Sequence, residues 1–301
     1  MSTTLEPTAP TADEAPIAPS SIRGIKNVAA TVLIWASFVV AMIPLVWILY
    51  TVLDRGLSTI LKPEWWQESQ NGMTIRREGG GAYHAILGTL EQALTCAVIS
   101  VPIGVLTAVY LVEYGRGRLA RTVNFMVDIL TGVPSIVAAL FVYAVWVTTL
   151  HLDRVGFAVS LSLVLLMIPV IVRSTEEMLK LVPNELREAS YALGVPTWKT
   201  ILRIVLPTAL SGIITGVLLG LARVMGETAP LLILVGYSKA INSDLFSGFQ
   251  GALPTMINAE RTEVTDAAIH RTWGAALTLI LLVLLLNILG RFIAGRTRVR
   301  S

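Results

Sequence analysis

The chain has 301 residues, 54% of them apolar and 14% charged, with a mean hydropathy of +0.71. Such proportions exclude an ordinary soluble domain, where about a quarter of residues are charged. The formal charge of +3 says less than the placement of the basic residues, and the single cysteine, Cys96, excludes an intrachain disulfide and any cysteine-based metal site.

Residues 1–20 are rich in Thr, Ala, Pro and acids and contain neither Lys nor Arg. A stretch of that composition cannot build a core, so a disordered cytoplasmic tail is expected over residues 1–22. It also lacks the basic start of a cleaved signal peptide, so the first apolar block is expected to stay as a membrane helix. From there six blocks are long enough to span a bilayer: residues 28–53, 86–112, 123–149, 155–173, 208–236 and 273–293. The expectation is an all-α polytopic membrane protein whose membrane domain covers residues 23–301. The fifth block is long and interrupted, and is expected to tilt or to end before Pro230, whose ring would remove the hydrogen bond to the Gly226 carbonyl.

Orientation follows from the basic residues between the blocks. Arg23 and Lys26, then Arg116, Arg118 and Arg121, then Arg173 to Arg203, then Arg291 to Arg300 fall on one side and outnumber those on the other. Both termini are therefore expected in the cytoplasm. Trp47, Tyr50, Tyr143, Trp146 and Trp273 fall near the outer ends, where amphipathic rings favour the headgroup zone. The outer connections, residues 54–85 and 237–272, either meet an external partner or are plain solvated loops. His84, His151 and His270 stand in them without any carboxylate or cysteine pattern, so no metal site is expected. Glu91 falls in the first turn of the second block, where a helix dipole accepts it, and Asp128 reads as an interfacial or paired group.

The cytoplasmic connection of residues 176–207 contains Glu188-Ala189-Ser190-Tyr191-Ala192-Leu193-Gly194, then Ile204-Val205-Leu206-Pro207 nine residues later. This predicts two short helices. Asn184 suits an N-cap, Gly194 a left-handed C-terminal position, Pro196 the first turn of the second helix, and Pro207 its end. Small Ala189, Ser190 and Ala192 would let another surface approach. Leu186, Ala189 and Leu193 share a face, and Glu185, Arg187, Glu188 and Lys199 could orient a partner. An interfacial hairpin without a partner is the plainer reading.

In the fifth block, Gly212, Gly216, Gly220, Arg223 and Glu227 form one stripe, at about 0°, 40°, 80°, 20° and 60° around a helix. Arg223 and Glu227, four residues apart, can pair. They are either a structural ion pair or an anion site on a water-accessible path, since a guanidinium fork matches phosphate oxygens. Gly132-Val133-Pro134-Ser135 is a weaker candidate: a break that turns backbone N–H groups and Ser135 toward the path, or a simple proline kink.

The cytoplasmic pattern resembles the EAA loop of ABC importer permeases. Gly220-Leu221-Ala222-Arg223-Val224-Met225-Gly226-Glu227-Thr228-Ala229-Pro230-Leu231 resembles the corresponding span of a permease of the bacterial phosphate-specific ABC transporter. So do Gly88-Thr89-Leu90, Pro102-Ile103-Gly104 with Tyr110-Leu111-Val112-Glu113-Tyr114, and Gly132-Val133-Pro134-Ser135-Ile136. The resemblance implies a six-helix type I importer permease in a bacterial inner membrane, carrying phosphate past Arg223 and Glu227. It implies that Glu188, Ala189, Ser190 and Gly194 couple to a separate ATPase dimer (PstB-like) that binds ATP and Mg. A second permease (PstC-like) and an extracytoplasmic phosphate-binding protein (PstS-like) complete the expected assembly, with membrane lipid around it and no nucleic acid. The chain has no G-x-x-x-x-G-K-[ST] segment, so no cofactor is expected in it. A sulfate or molybdate permease, or a non-transporting membrane scaffold, remains as an alternative.

Overall fold

Backbone polar groups in hydrocarbon must be satisfied within their own segment, which for a chain this apolar leaves helices as the economical solution. A computed structural model describes residues 21–74 and 77–296, and the described residues are helical with no strand. In chain order the helices are α1 (Ser21–Ile60), α2 (Pro63–Gln67), α3 (Tyr83–Val109), α4 (Gly117–Gly132), α5 (Ser135–Tyr143) and α6 (Gly156–Lys180). Then follow α7 (Asn184–Ala192), α8 (Thr197–Thr200), α9 (Leu206–Met225), α10 (Ala229–Leu234), α11 (Leu253–Glu260) and α12 (Asp266–Arg296). Wider π-helical turns extend α3 over Tyr110–Tyr114 and α5 over Ala144–Thr149, and join α8 to α9 over Ile201–Val205.

Five helical runs among the described residues are long and apolar enough to cross a membrane, and a bent pair, α4 with α5, makes a sixth. The expected tail lies outside the described residues, except that Ser21 and Ile22 already belong to α1. The chain divides into two compact units at Thr51 and Val52. In the first, α1 is a single helix whose apolar side chains, such as Ile34 and Trp35, are exposed. The second holds the cores. One core packs α3, α5, α6 and α10 around Cys96, Met167 and Leu234; another joins α3, α4, α6 and α9 around Val172, Leu179 and Val205. A third gathers the end of α1 with α2, α11 and α12 around Trp65, whose indole N–H donates to Thr278 Oγ1 at 2.8 Å.

Several expectations are corrected. Proline did not stop Thr197–Met225, which runs as one span through Pro207. The π turn just before it widens the helix where the ring would otherwise strike the carbonyl four residues back. Glu91 lies in the third turn of α3, not the first, because the helix begins at Tyr83. His84 and His270 belong to α3 and α12 rather than to loops; His84 is buried against the Tyr237 hydroxyl at 3.3 Å. Asp128, by contrast, is paired as expected: its partner is Arg173, which also holds Glu176 and the Asn124 side chain.

Candidate functional site

Arg223 is in the last turn of α9, and the helix ends two residues later at Met225. The chain turns tightly there: Gly226 N–H donates to Arg223 O and Glu227 N–H to Val224 O, each at 3.2 Å. Helical geometry resumes at Ala229, with Pro230 at the start of α10 where a missing N–H costs nothing. Pro230 therefore deletes no hydrogen bond from a continuous helix; the interruption precedes it. Glu227 lies in the interruption, and Arg223 Nε still sits 4.0 Å from its Oε1. The side chain of Arg223 is 53% exposed and that of Glu227 19%. The remaining guanidinium donors have no partner among the described residues, so the fork is free to receive an oxyanion.

The small-residue stripe divides into two tasks. A Cβ on Gly212 would lie 2.1 Å from Met178 Sδ, and one on Gly216 would lie 2.1 Å from Ser174 Oγ. On Gly220 it would be 3.3 Å from Met167 Cγ. The glycines thus seat α9 directly on α6, a use of small residues common between membrane helices. Arg223, on the same stripe, is exposed instead.

A second interruption separates α4 from α5, whose axes differ by 107° across Val133 and Pro134. This is a sharp re-direction rather than a simple proline kink. Pro134 is the extended residue before α5, and Ser135, half-buried, is the first residue of that helix. α5 packs against α10, so the second halves of the two interrupted spans meet. No hydrogen bond or ion pair joins Ser135 to Arg223 or Glu227 among the described residues.

The connection of residues 176–207 folds as two short helices after the end of α6. Gly194 has φ +75°, with Val195 N–H donating to Ser190 O at 3.1 Å and its own N–H to Tyr191 O at 2.9 Å. That pair of bonds satisfies the last carbonyls of α7 and needs a left-handed residue at Gly194. Asn184 is the first helical residue rather than the cap, because Pro183 supplies the extended entry. Pro196 likewise caps α8 from outside, accepting from Lys199 and Thr200 N–H through its carbonyl. Glu188, Ala189 and Ala192 are exposed, and Leu193 is 83% exposed, with Tyr191 and Trp198 beside them.

Two residues assigned to that outer surface face inward. Ser190 is 3% exposed and its hydroxyl shares a 2.8 Å hydrogen bond with Thr200, fastening α7 to α8. Arg187 pairs with Glu113 at 2.8 Å and donates to Val182 O at 2.7 Å and Leu179 O at 3.0 Å. Its charge is spent inside the subunit. Lys199 lies over the Trp198 ring, 5.6 Å from the centroid.

Sequence reasoning missed a polar knot on the opposite side. Residues 237–252 form a loop that is exposed over most of 241–249 but is tied down at Gln250 to Ala252. Gln250 is fully buried; its amide donates to Glu91 and to Asn242 O and accepts from Gln92 Nε2 at 2.8 Å. A Cβ on Gly156 would meet Gln250 Oε1 at 2.2 Å, and one on Gly88 would meet the Gly251 carbonyl at 2.0 Å. Three glycines at close approach were the available signal. Nearby, Arg271 is buried on Glu260 at 3.3 Å, and Tyr237 donates to Gln70 Oε1 at 3.0 Å. Burial holds the Tyr237 phenol above its usual range.

The family model described as "Binding-protein-dependent transport system inner membrane component" matches residues 100–299. The phosphate transport system permease protein PstA 1 of Mycobacterium tuberculosis is 56% identical over 279 residues, covering 92% of each chain. PstA of Mycobacterium leprae is 55% identical over 277 residues, covering 91% of each. A solved bacterial alginate ABC transporter, in complex with a pentasaccharide-bound periplasmic protein, superposes with a TM-score of 0.61 at 15% identity, over 92% of this chain and 99% of that one. That last likeness concerns the fold alone.

Proposed function

The chain belongs to the binding-protein-dependent transport inner-membrane components and, within them, to the phosphate permeases, and from that premise we propose how it carries phosphate. It is a multi-pass membrane protein with the type I ABC importer permease fold, and it serves as a permease subunit of an ATP-driven phosphate importer. Arg223 and Glu227 form its anion station. The observation that carries this assignment is a half-exposed guanidinium with free donors, set at a break in an apolar span and balanced by a single carboxylate at 4.0 Å.

The chemistry follows from charge and geometry. An anion entering low dielectric loses hydration, and a fixed cation offsets much of that cost. The guanidinium cannot deprotonate, and its planar fork fits two oxygens of one phosphate. Glu227 holds the fork in place and lowers the attraction, so that the anion can leave again. With Arg223 half-exposed and the contact as long as 4.0 Å, the pair contributes little to folding, which leaves it free for transport. Ser135, opening a re-directed helix, is a secondary candidate on the same path.

The exposed ridge of Glu188, Ala189, Ala192 and Leu193, ended by left-handed Gly194, is the surface on which a separate ATPase docks. ATP and Mg belong to that partner, since the chain has no phosphate-cradling loop. Ser190 acts from beneath, by keeping α7 and α8 together. A second, different permease completes the pathway, and an extracytoplasmic phosphate-binding protein delivers the anion. The excess of Lys and Arg on one set of connections supports cytoplasmic termini.

The test is phosphate uptake into vesicles carrying the whole assembly. Arg223→Gln is expected to abolish uptake, while the ATPase still co-purifies. Uptake surviving in Arg223→Gln, or competed as well by sulfate and molybdate as by phosphate, would defeat the assignment.

A further inference from the structure

Two cavities on the α9–α12 side share one residue, Arg291. The first, about 630 Å³, is an apolar groove lined by Leu279, Val283, Leu284 and Ile288 of α12, by Ala222 of α9 and by Gly226 just past its end. The second, about 660 Å³, has mixed walls: Met178 and Leu219 stand beside Ser174 and Glu177 of α6, Ser211 and Thr215 of α9, and Arg291. Arg291 therefore stands where an oily slot opens into a hydroxyl-rich chamber.

The charges in the chamber are unusual. Arg291 and Glu177 are both exposed, and neither side chain has a partner among the described residues. They line the same cavity without forming an ion pair. An object carrying both signs would satisfy the two at once. Inorganic phosphate would meet Arg291 and be repelled by Glu177, and it would leave the apolar groove unused.

The dimensions agree with a lipid. Leu279 to Arg291 is about 18 Å along α12 at 1.5 Å per residue, against about 15 Å for one leaflet of a 30 Å hydrocarbon core. Basic pockets between membrane helices on the cytoplasmic side bind the phosphates of anionic lipid headgroups, and Glu177 beside Arg291 favours a headgroup that also carries an ammonium.

We propose that this pair of cavities binds one phospholipid with a zwitterionic, ammonium-bearing headgroup of the phosphatidylethanolamine type. The acyl chain lies in the groove between α9 and α12, the phosphate meets the Arg291 fork, and the primary ammonium meets Glu177 and the Ser and Thr hydroxyls. The lipid would then wedge α12 against the lower half of the helix that carries Arg223. From the functional reading this takes only the cytoplasmic placement of the end of α12.

The experiment uses the assembled transporter, extracted in mild detergent, with bound lipid quantified by native mass spectrometry. A photoreactive acyl chain maps where the lipid sits. The intact protein is expected to retain phosphatidylethanolamine and to crosslink it to α9 and α12. Arg291→Gln removes the phosphate contact and Val283→Trp fills the groove; each should lower occupancy about tenfold. Glu177→Gln should keep a phospholipid but shift its preference toward phosphatidylglycerol by about threefold. Millimolar inorganic phosphate should leave the lipid in place.

Unchanged occupancy in both Arg291→Gln and Val283→Trp would overturn the proposal. So would displacement by inorganic phosphate, or crosslinks from position 283 to the second permease instead of lipid. None of these readouts depends on phosphate transport, so the two readings fail separately.

Discussion

The Arg187–Glu113 pair offers the sharpest test of how the coupling loop is held. Arg187 is on α7, and Glu113 is in the π turn that ends α3; their side chains are 12% and 6% exposed, with 2.8 Å between Nη2 and Oε1. The same guanidinium also serves the carbonyls of Val182 and Leu179. Arg187→Ala would strand a buried carboxylate and two carbonyls. Breaking one side of a buried pair costs about 3–5 kcal/mol, enough to shift a docked-loop equilibrium by about two to three and a half powers of ten. The expected result is an α7 that no longer rests on α3, seen as faster hydrogen exchange over 184–200 and loss of transport-coupled ATPase activity. Removing both charges together, as Arg187→Met with Glu113→Leu, replaces the pair by apolar groups and should recover much of the loss. If Arg187→Ala leaves exchange and coupling unchanged, or if the double variant is no better than the single, the pair does not anchor the loop.

Three further outcomes are expected. Gly194→Val should weaken ATPase co-purification by about 1–2 kcal/mol of backbone strain, and Gly194→Asn by less. The φ of +75° disfavours a side chain although nothing lies within 4 Å of the new Cβ. Gly216→Leu should lower thermal stability of the assembly by about 1–3 kcal/mol through overpacking on Ser174, with partial rescue by Ser174→Gly. Gln250→Leu leaves Glu91 and Gln92 without their partner, about 1–3 kcal/mol for each, so hydrogen exchange over 237–252 should quicken while α7 stays protected.

What could be read before the structure was whatever depends on local composition. Span length is a local property, so the blocks emerged, with ends short by about two turns where polar residues continue the helix, as from Arg173 to Lys180, and by about three at the start of the fifth. Gly194 was legible because a left-handed position has few occupants. Partnerships across the chain were not: Arg187 and Glu113 are 74 residues apart, Gln92 and Gln250 158. Arg187 therefore read as a free surface charge, and 237–252 as an ordinary loop. Among the prolines only Pro207 misled, since the others within spans were read as internal and the break before Pro230 is present. Pro44, Pro102 and Pro169 sit inside helices, and Pro207 follows a π turn, so proline marked an end only where glycine or packing also released the backbone. The angle at Pro134 could not be read locally, because it is set by where α5 finds α10.

Running Thr197–Met225 as one helical span changes what the loop could do to the proposed anion station. Trp198, beside the proposed docking surface, and Arg223 are about 37 Å apart along one rod at 1.5 Å per residue. The fulcrum is the close contact with α6, where Gly212 and Gly216 touch Met178 and Ser174. Gly216 is about 27 Å from Trp198 and about 10 Å from Arg223. A 3 Å push at the docking end would thus move Arg223 by only about 1 Å, a reduction of roughly 2.5-fold by that geometry. So small a shift would matter little to a pair riding on one rigid helix. Here it matters, because Arg223 is on the rod and Glu227 is in the turn beyond its end, where backbone bonds have already left the helical pattern. The lever moves one partner relative to the other. At 4.0 Å a charge pair lies where attraction changes steeply with distance, so on the proposed reading widening the gap would free the fork for an anion and closing it would expel one. On this geometry the break before Pro230 converts a damped mechanical movement into an electrostatic one.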